Sequence, residues 1–466
     1  MRWKTTLLLL AVTVGLGTYL SRYELKQPPP EAREQLSKQV VDIPPETVSQ
    51  LVLDLPQAKA TLALDGTTWR LAPAQVRADP ILAQRILAHL APLTAERVLP
   101  GTGDRKTFGL EPAAGWLTVV AGGTPTTLFI GDTTPVQHNR YLSVAGRAAV
   151  YVVPAALFDD ANQPSAAFRD TALIPLSPWM TDRLTVTSPT LRIAVRREQA
   201  RWLMTQPVGD RADRSQVNAL LTALSGIRIS RFVEDAPQVE HLATWGFDQP
   251  KAEVALHLED GQAVTLFFGA PLPEDRSLVY AKRSDEPGLY AVAAADVEGL
   301  LPPSDALREH TCFDFFLSHA TKLEVARGEQ RWTVARTSAA SQWRVEGANT
   351  AVDTARVEAL LNKLADVRVS GFEDEAPADL ARYGLETPAG SITVWAAAED
   401  PPQRLRIGSV VGTSSDRYGR IEGRPPVVRL SETVTQLLAT TIEQLQPPSP
   451  SALPPQAGPS VTTERK

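Results

Sequence analysis

The stretch that decides the fold runs from Ala200 to Pro250 and reads ARWLMTQPVGDRADRSQVNALLTALSGIRISRFVEDAPQVEHLATWGFDQP. Nearly every feature in it returns 138 to 141 residues later, between Trp343 and Pro388. The shared features are a tryptophan, an aspartate before four apolar residues, a phenylalanine, an acidic Ala-Pro turn and an aromatic-Gly-apolar motif. A more divergent copy begins at Trp69. The sequence therefore predicts one unit in three tandem copies.

Five kinds of residue mark the unit in all three copies, and we interpret them as structural. The turn glycines are expected to have positive φ angles, and the tryptophans are expected to lie in the core rather than to stack on a sugar. The set comprises the tryptophans Trp69, Trp202 and Trp343; the helix-capping aspartates Asp79, Asp213 and Asp353; the turn glycines Gly109, Gly246 and Gly384; the strand-end glycines Gly131, Gly269 and Gly408; and the tyrosines Tyr141, Tyr280 and Tyr418.

Each capping aspartate precedes a predicted amphipathic helix. After Asp213, apolar residues stand 4, 7, 8 and 11 positions further on, at Val217, Leu220, Leu221 and Leu224. This spacing places all four side chains on one helix face, which must pack on a sheet.

The order predicted for each copy is β-β-α-β-β-β-β-β-α, with both strands before the helix leading to the tryptophan. The fold class is therefore α+β, with three tandem homologous domains, each a mostly antiparallel sheet covered by one or two helices. In the third copy, the extra residues from Thr337 to Ser341 predict an inserted hairpin.

Composition describes an ordinary globular protein of 466 residues, with 43% hydrophobic and 21% charged residues and a net charge of -6. No basic stripe with interleaved aromatic residues is present, so nucleic acid is not an expected partner. Cys312 is the single cysteine, which excludes an internal disulfide.

The N-terminus predicts a membrane anchor. Arg2 and Lys4 precede an uncharged run from Thr5 to Leu20. A helix over this run covers about 24 Å of the roughly 30 Å hydrocarbon core, and flanking aromatic and basic side chains extend the span. We expect an uncleaved single-pass transmembrane helix in the bacterial inner membrane, with the bulk of the chain in the periplasm or outside the cytoplasmic membrane. A cleaved signal peptide and a soluble cytosolic protein are the alternatives.

The predicted organisation has six parts, and the two connectors between repeats resemble each other. Phe168-Arg169-Asp170-Thr171 follows the first copy and Leu307-Arg308-Glu309 follows the second. The parts are an anchor at 1–23, a Pro-containing stalk at 24–42, repeat domains at 43–175, 176–315 and 316–445, and a disordered Pro-rich tail at 446–466.

The tryptophan, capping aspartate, amphipathic helix, aromatic-Gly-Leu-x-x-Pro motif, apolar-Gly pair and tyrosine together resemble the bacterial domain of unknown function 4340 family, over about residues 43–445. Members are typically single-pass envelope proteins, many of them encoded beside ABC-2-type exporter components of the gliding-motility type. The resemblance implies an auxiliary role next to such a transporter, and it brings no catalytic residues. The first copy departs from the pattern, since residues 101–106 replace the acidic segment.

The repeated acidic pairs are the candidate ligand site. They are Glu234 with Asp235, and Asp374 with Glu375. Paired carboxylates serve as surface turns, hold calcium or perform acid/base catalysis. Because each pair stands beside a proline without a further carboxylate run, a surface turn is the interpretation that the spacing favours.

Other candidates have patterns that fit no established chemistry, so we expect no cofactor and no metal. The loop from Gly101 to Thr107 lacks glycines where a phosphate-binding loop needs them. His310, Cys312 and His319 match no zinc spacing.

Three functions are compatible with these observations. The first is a non-enzymatic, membrane-anchored scaffold, a rod or arc of three domains that assists an ABC-2-type transport system. The second is a periplasmic glycan- or peptide-binding module that uses sheet edges or grooves. The third is a hydrolase, which requires the carboxylates of Asp374 and Glu375 to converge in a pocket.

Overall fold

The computed structural model of the chain describes residues 37–447, apart from gaps at 101–103, 136–137, 176–177, 200, 239–240, 260, 339, 349 and 397–400, together with Trp3 and Thr13. Three large antiparallel sheets and six α-helices form the described part of the chain, which makes the fold α+β as the sequence predicts.

The first sheet has nine strands in the order β5-β4-β3-β2-β8-β9-β10-β11-β7. A separate two-stranded sheet pairs β1 with β6. The bounds are β1 Gln39–Val41, β2 Val48–Asp54, β3 Lys59–Asp65, β4 Thr68–Ala72, β5 Val76–Arg77, α1 Pro80–His89, β6 Leu93–Thr94, β7 Arg97–Leu99, β8 Gly115–Ala121, β9 Thr124–Thr133, β10 Arg140–Val144, β11 Val150–Val153 and α2 Ala156–Ala161.

The second sheet also has nine strands, in the order β15-β14-β13-β12-β17-β18-β19-β20-β16. Its elements are β12 Thr181–Thr187, β13 Arg192–Glu198, β14 Arg201–Gln206, β15 Asp210–Arg211, α3 Arg214–Gly226, β16 Ile229–Glu234, β17 Ala252–Leu258, β18 Ala263–Pro271, β19 Leu278–Arg283, β20 Leu289–Ala293 and α4 Ala294–Gly299.

The third sheet has eight strands, in the order β23-β22-β21-β25-β26-β27-β28-β24. Its elements are β21 Lys322–Arg327, β22 Gln330–Ala335, β23 Arg344–Val345, α5 Thr354–Ala365, β24 Val369–Asp374, β25 Gly390–Trp395, β26 Gln403–Val410, β27 Arg417–Ile421, β28 Val427–Leu430 and α6 Glu432–Leu438.

The three sheets share one topology. In each, a hairpin series comes first, a helix follows, and a strand that comes after the helix (β7, β16 or β24) joins the opposite edge. The prediction of two strands before the helix was wrong for all three copies, because β21, β22 and β23 precede α5 in the third. Trp69 and Trp202 lie on third strands, β4 and β14, and a two-residue strand follows each of them.

Each capping aspartate begins its helix as the side-chain chemistry requires. The Asp213 carboxylate accepts hydrogen bonds from the backbone N–H groups of Ser215 (2.8 Å) and Gln216 (3.2 Å). Asp79 and Asp353 make the equivalent bonds to α1 and α5. Each of the four apolar side chains on α3 and on α5 is buried, which contributes about 1.5–3 kcal/mol per side chain.

Two predicted boundaries need correction. The stalk at 24–42 extends too far, because Val40 and Val41 are buried and β1 pairs with β6. The inserted hairpin at Thr337–Ser341 is a loop, since the described residues between β22 and β23 contain no strand.

The chain divides into two compact units. The first unit comprises Met1–Leu173, Arg228–Gln238 and Pro287–Ala291, and the second comprises Ile174–Ile227, Val239–Glu286 and Val292–Lys466. The connector Phe168–Thr171 and the residues around β16 therefore belong to one unit, and the second connector and β24 belong to the other.

Among the described residues, no helix has both the length and the hydropathy needed to cross a bilayer. Apart from Trp3 and Thr13, the predicted anchor at 1–23 lies outside the described residues, as do residues 448–466 of the predicted tail.

Candidate functional site

The signature glycines and tyrosines lie around one turn in each repeat. The φ angles of Gly109, Gly246 and Gly384 are 65°, 78° and 65°, which glycine adopts without steric cost. The aromatic residue before each turn glycine packs on the signature tyrosine. The ring centroids are 4.9 Å apart for Phe108 and Tyr141, 6.3 Å for Trp245 and Tyr280, and 5.0 Å for Tyr383 and Tyr418.

The strand-end glycines let this turn approach the sheet. A Cβ atom on Gly131 would lie 2.2 Å from the carbonyl oxygen of Phe108. The equivalent distances from Gly269 and Gly408 to the carbonyls of their turns are both 2.1 Å. Any larger residue would push the turn away from the strand, so these glycines have a structural role.

The signature tryptophans belong to the core. Trp202 and Trp343 are buried, and Trp69 is half-buried against the first core. The guanidinium groups of Arg197 and Arg336 lie 5.8 and 4.8 Å from the Trp202 and Trp343 ring centroids, so the chain's own arginines contact these rings. Stacking on a sugar is not available at Trp202 or Trp343.

The second acidic pair meets an arginine from the preceding connector. Arg308 donates two hydrogen bonds to the Glu375 carboxylate, at 2.7 and 3.0 Å. The guanidinium carbon of Arg308 lies 3.3 Å from the ring centroid of Phe372. A planar guanidinium fits this combination of a carboxylate at its edge and a ring on its face, which a lysine ammonium cannot reproduce.

The first acidic pair has the same arrangement in the first unit. Arg169 donates to Asp235, and its guanidinium carbon lies 3.9 Å from the ring centroid of Phe232. We call these two groupings the arginine junctions: Arg169 with Phe232 and Asp235, and Arg308 with Phe372 and Glu375. In both, the arginine follows the helix cap of its own repeat in the sequence and precedes the strand whose phenylalanine it contacts.

Backbone hydrogen bonds bring each connector into position. One connector carbonyl accepts from the capping aspartate of its own repeat, and a second, three residues later, accepts from the strand after the next helix. The pairs are Asp79 N to Phe168 O (2.8 Å), Ile229 N to Thr171 O (2.7 Å), Asp213 N to Leu307 O (2.8 Å) and Val369 N to His310 O (2.8 Å).

The Arg308 junction has two further members, Asp210 and Arg424. Arg424 binds both carboxylate oxygens of Asp210 at 2.8 Å, and Arg308 donates to the same carboxylate at 2.9 Å. Arg424 also donates to the carbonyl oxygens of Glu309 and Thr311. The Asp210, Arg308 and Arg424 side chains are 0%, 5% and 1% exposed. Charges this deeply buried are tolerated because nearly every polar atom has a partner.

The charges at this junction reinforce one another. Burial acts to raise the pKa of Asp210, but hydrogen bonds and charge from Arg424, together with the hydrogen bond from Arg308, outweigh it and leave the pKa below its usual value. The carboxylate is therefore ionised at neutral pH and attracts both guanidinium groups.

The four candidate ligand residues do not form a common site. Glu234 is exposed, and Asp235 binds Arg169. Asp374 accepts a hydrogen bond from the Tyr383 hydroxyl at 2.7 Å, whereas Glu375 binds Arg308. Because Asp374 and Glu375 have different partners, their carboxylates do not converge as the hydrolase hypothesis requires.

The remaining candidates have structural surroundings. The His310 Nδ1 atom lies 2.9 Å from the Arg308 carbonyl oxygen, and His319 lies against Phe316. Burial raises the pKa of the Cys312 thiol to about 12, which keeps it protonated and a poor metal ligand. No group of three potential metal ligands occurs within the described part of the chain. In the Gly101–Thr107 loop, the described residues begin a short 3-10 helix, Arg105–Phe108, that Asp104 caps.

The sequence pattern indicated only some of the junction residues. Arg169 and Arg308 recur 139 residues apart in connectors that resemble each other, which was the available signal. Asp210 has no counterpart at the repeat spacing, so no pattern identified it. Arg424 was missed although Arg147 stands 277 residues before it, the same spacing that separates Tyr141 from Tyr418.

Replacing Arg308 with alanine is expected to destabilise the protein by about 3–5 kcal/mol, because it removes a buried partner of Asp210. Arg308→Lys is expected to restore little, since lysine lacks the bidentate geometry. Arg406→Ala is the matched control, because the half-exposed Arg406 meets Glu422 at 3.5 Å, a surface pair worth less than about 1 kcal/mol. Denaturant unfolding of the three variants measures the effect, and equal losses for Arg308→Ala and Arg406→Ala would contradict it.

The lowered pKa of Asp210 also predicts a pH dependence. Its stabilising effect is fully present above the ordinary aspartate pKa of about 3.9 and is lost as the pH falls through the lower folded-state value. Asp210→Asn is expected to be less stable than the native chain at neutral pH and to lose less stability between about pH 5 and pH 2. Unfolding free energies measured across this range test the prediction, which fails if both proteins have the same slope.

Comparison with known proteins supplies the family. The model of the family described as Domain of unknown function (DUF4340) matches the chain in three segments, at residues 69–238, 202–344 and 343–456. No curated protein and no solved structure matches the chain. The three matched segments agree with three tandem copies and extend over most of the chain, which therefore belongs to the Domain of unknown function (DUF4340) family.

Proposed function

We propose that this chain is a non-enzymatic scaffold, a membrane-anchored envelope protein that assists an ABC-2-type transport system of the gliding-motility kind. In this proposal, residues 1–23 form a single transmembrane helix in the bacterial inner membrane. The three repeats act as tandem homologous domains in the periplasm.

The arginine junctions are the observation that carries the proposal. In both units, the residues that could have served chemistry are bound instead to a neighbouring repeat segment: Asp235 to Arg169, and Glu375 to Arg308. Each connector contributes hydrogen bonds both to its own repeat and to a segment of the next one. Such a construction suits a protein whose task is to present surfaces at fixed positions, as repeat proteins do.

The alternative to the scaffold is a periplasmic glycan- or peptide-binding module, and the cleft in the first repeat favours it. Trp202 and Trp343 are buried and do not supply its binding surface, but the first repeat has an open cleft beside Tyr141. A hydrolase receives less support, since Asp374 and Glu375 have separate partners.

The scaffold proposal is tested by purifying the full chain from chemically cross-linked membranes of its source bacterium, with a tag after Lys466. The expected result is co-purification, in constant ratio, of the permease and ATPase subunits of one exporter. The matched control lacks residues 1–23 and is expected to leave the membrane fraction while its circular dichroism spectrum stays native.

Two outcomes would count against the proposal. Recovery of the full chain alone from cross-linked membranes would contradict the scaffold role. A full-length chain in the soluble fraction would contradict the anchor, and N-terminal sequencing distinguishes a cleaved signal peptide from an intact helix.

A further inference from the structure

The first repeat has an open cleft of about 420 Å³ at one edge of its sheet. Its lining includes Arg97 and Leu99 on the edge strand β7, Tyr141 on β10 and Val152 on β11 between them. Tyr141 pairs with Val152, and Val152 pairs with Arg97, so the three residues form one row across the sheet. Residues directly opposite each other on neighbouring strands extend from the same face, so Tyr141 and Arg97 flank Val152.

The third repeat fills the equivalent space. Its corresponding row is Tyr418, Arg429 and Gly371, joined by the same strand pairing. The Arg429 side chain extends over Gly371, where a Cβ atom would lie 3.0 Å from its Nη2 atom, and reaches Glu373 at 3.3 Å. In the first repeat the long side chain, Arg97, lies on the edge strand, and the short one, Val152, lies on the strand between Arg97 and Tyr141.

Polar groups at the end of the cleft are fixed in place. Asn139 and Thr134 are 6% and 9% exposed, and Thr134 N donates to the Asn139 carbonyl oxygen at 2.7 Å. The Asn139 amide donates to the Glu96 carboxylate at 2.5 Å. The Tyr141 ring packs on Phe108 and is held at the side of the cleft. These groups are therefore preorganised in the free protein, which reduces the entropy cost of binding a ligand.

The chemistry of this lining selects the ligand class. One guanidinium, from Arg97, and one carboxylate, from Glu96, balance each other, so the cleft favours neither anions nor cations. Planar polar side chains offer both donors and acceptors, which suits a ligand with several hydroxyl groups. The Tyr141 ring and the Val152 and Leu99 side chains supply apolar surface for C–H groups.

From this geometry we infer that the first repeat binds a neutral carbohydrate in the cleft between Tyr141 and Arg97. The cleft has the volume for one or two sugar rings, within the roughly 300–1,000 Å³ usual for small-ligand sites. Arg97 and the Glu96 carboxylate, which Asn139 holds in place, hydrogen-bond ring hydroxyls, and Tyr141 contacts a sugar face. This site is separate from the arginine junctions and does not depend on the proposed scaffold role.

Saturation-transfer NMR on the full chain in detergent tests the inference, with glucose, N-acetylglucosamine and cellobiose as probes and alanylalanine as the comparison. Signal transfer to at least one sugar at millimolar concentration and none to the dipeptide is expected. Tyr141→Ala is expected to weaken sugar binding about tenfold or more. Tyr418→Ala, at the equivalent position beside the filled space, is expected to leave it unchanged.

A second variant is designed to close the cleft by giving the first repeat the side chains that the third repeat has at the equivalent positions. Arg97→Gly combined with Val152→Arg reproduces the Gly371 and Arg429 pair and is expected to abolish sugar binding while the circular dichroism spectrum stays native. If this variant does not fold, Asn139→Ala replaces it, with the same expected loss. Absence of transfer to every sugar, transfer only to alanylalanine, or equal transfer in the native and variant chains would overturn the inference.

Discussion

The docking of each connector onto a segment of the next repeat depends on one interaction. In it, a guanidinium group lies flat against a phenylalanine ring and has a carboxylate at its edge. Arg308 shows it most fully, because it contacts Phe372, Glu375 and the buried Asp210 at once. Burying such a charge costs several kcal/mol unless its hydrogen bonds are satisfied, so the connector is stable in one position only when all partners are present. The junction therefore specifies geometry more than it adds stability. Arg169 repeats the pattern with Phe232 and Asp235 in the other unit.

Much of the fold was predictable because the spacing and chemistry of neighbouring residues indicate the same elements in successive copies of the repeat. The capped helix after Asp213, the positive-φ turn at Gly246 and the antiparallel α+β class all follow from spacing and side-chain chemistry. The third strand before each helix was missed because the tryptophan was taken as the end of the second. The role of the acidic pairs was missed for a different reason. Asp235 and Glu375 meet residues that lie 66 and 67 positions earlier, and such contacts depend on tertiary packing that periodicity does not encode.

The first repeat differs from the others at the position where they use phenylalanine. Its strand pairing places Val98, opposite Tyr151, where the third repeat has Phe372, opposite Val428. At the other end of the series, Leu445 accepts the hydrogen bond from Asp353 as Leu307 does from Asp213, and glutamine, not arginine, follows Leu445. The first repeat also has the open cleft beside Tyr141.

Native-state hydrogen exchange at the second junction tests the central claim most directly. The Val369 amide donates to His310 O and the Cys312 amide to Val367 O, so both report on the connector docked against the third repeat. If the arginine junction joins the repeats into one cooperative unit, these amides exchange with the same opening free energy as the core amides of β12 and β25. Exchange at Val369 and Cys312 that is orders of magnitude faster than in both cores would show that the connector opens independently, and would contradict the account.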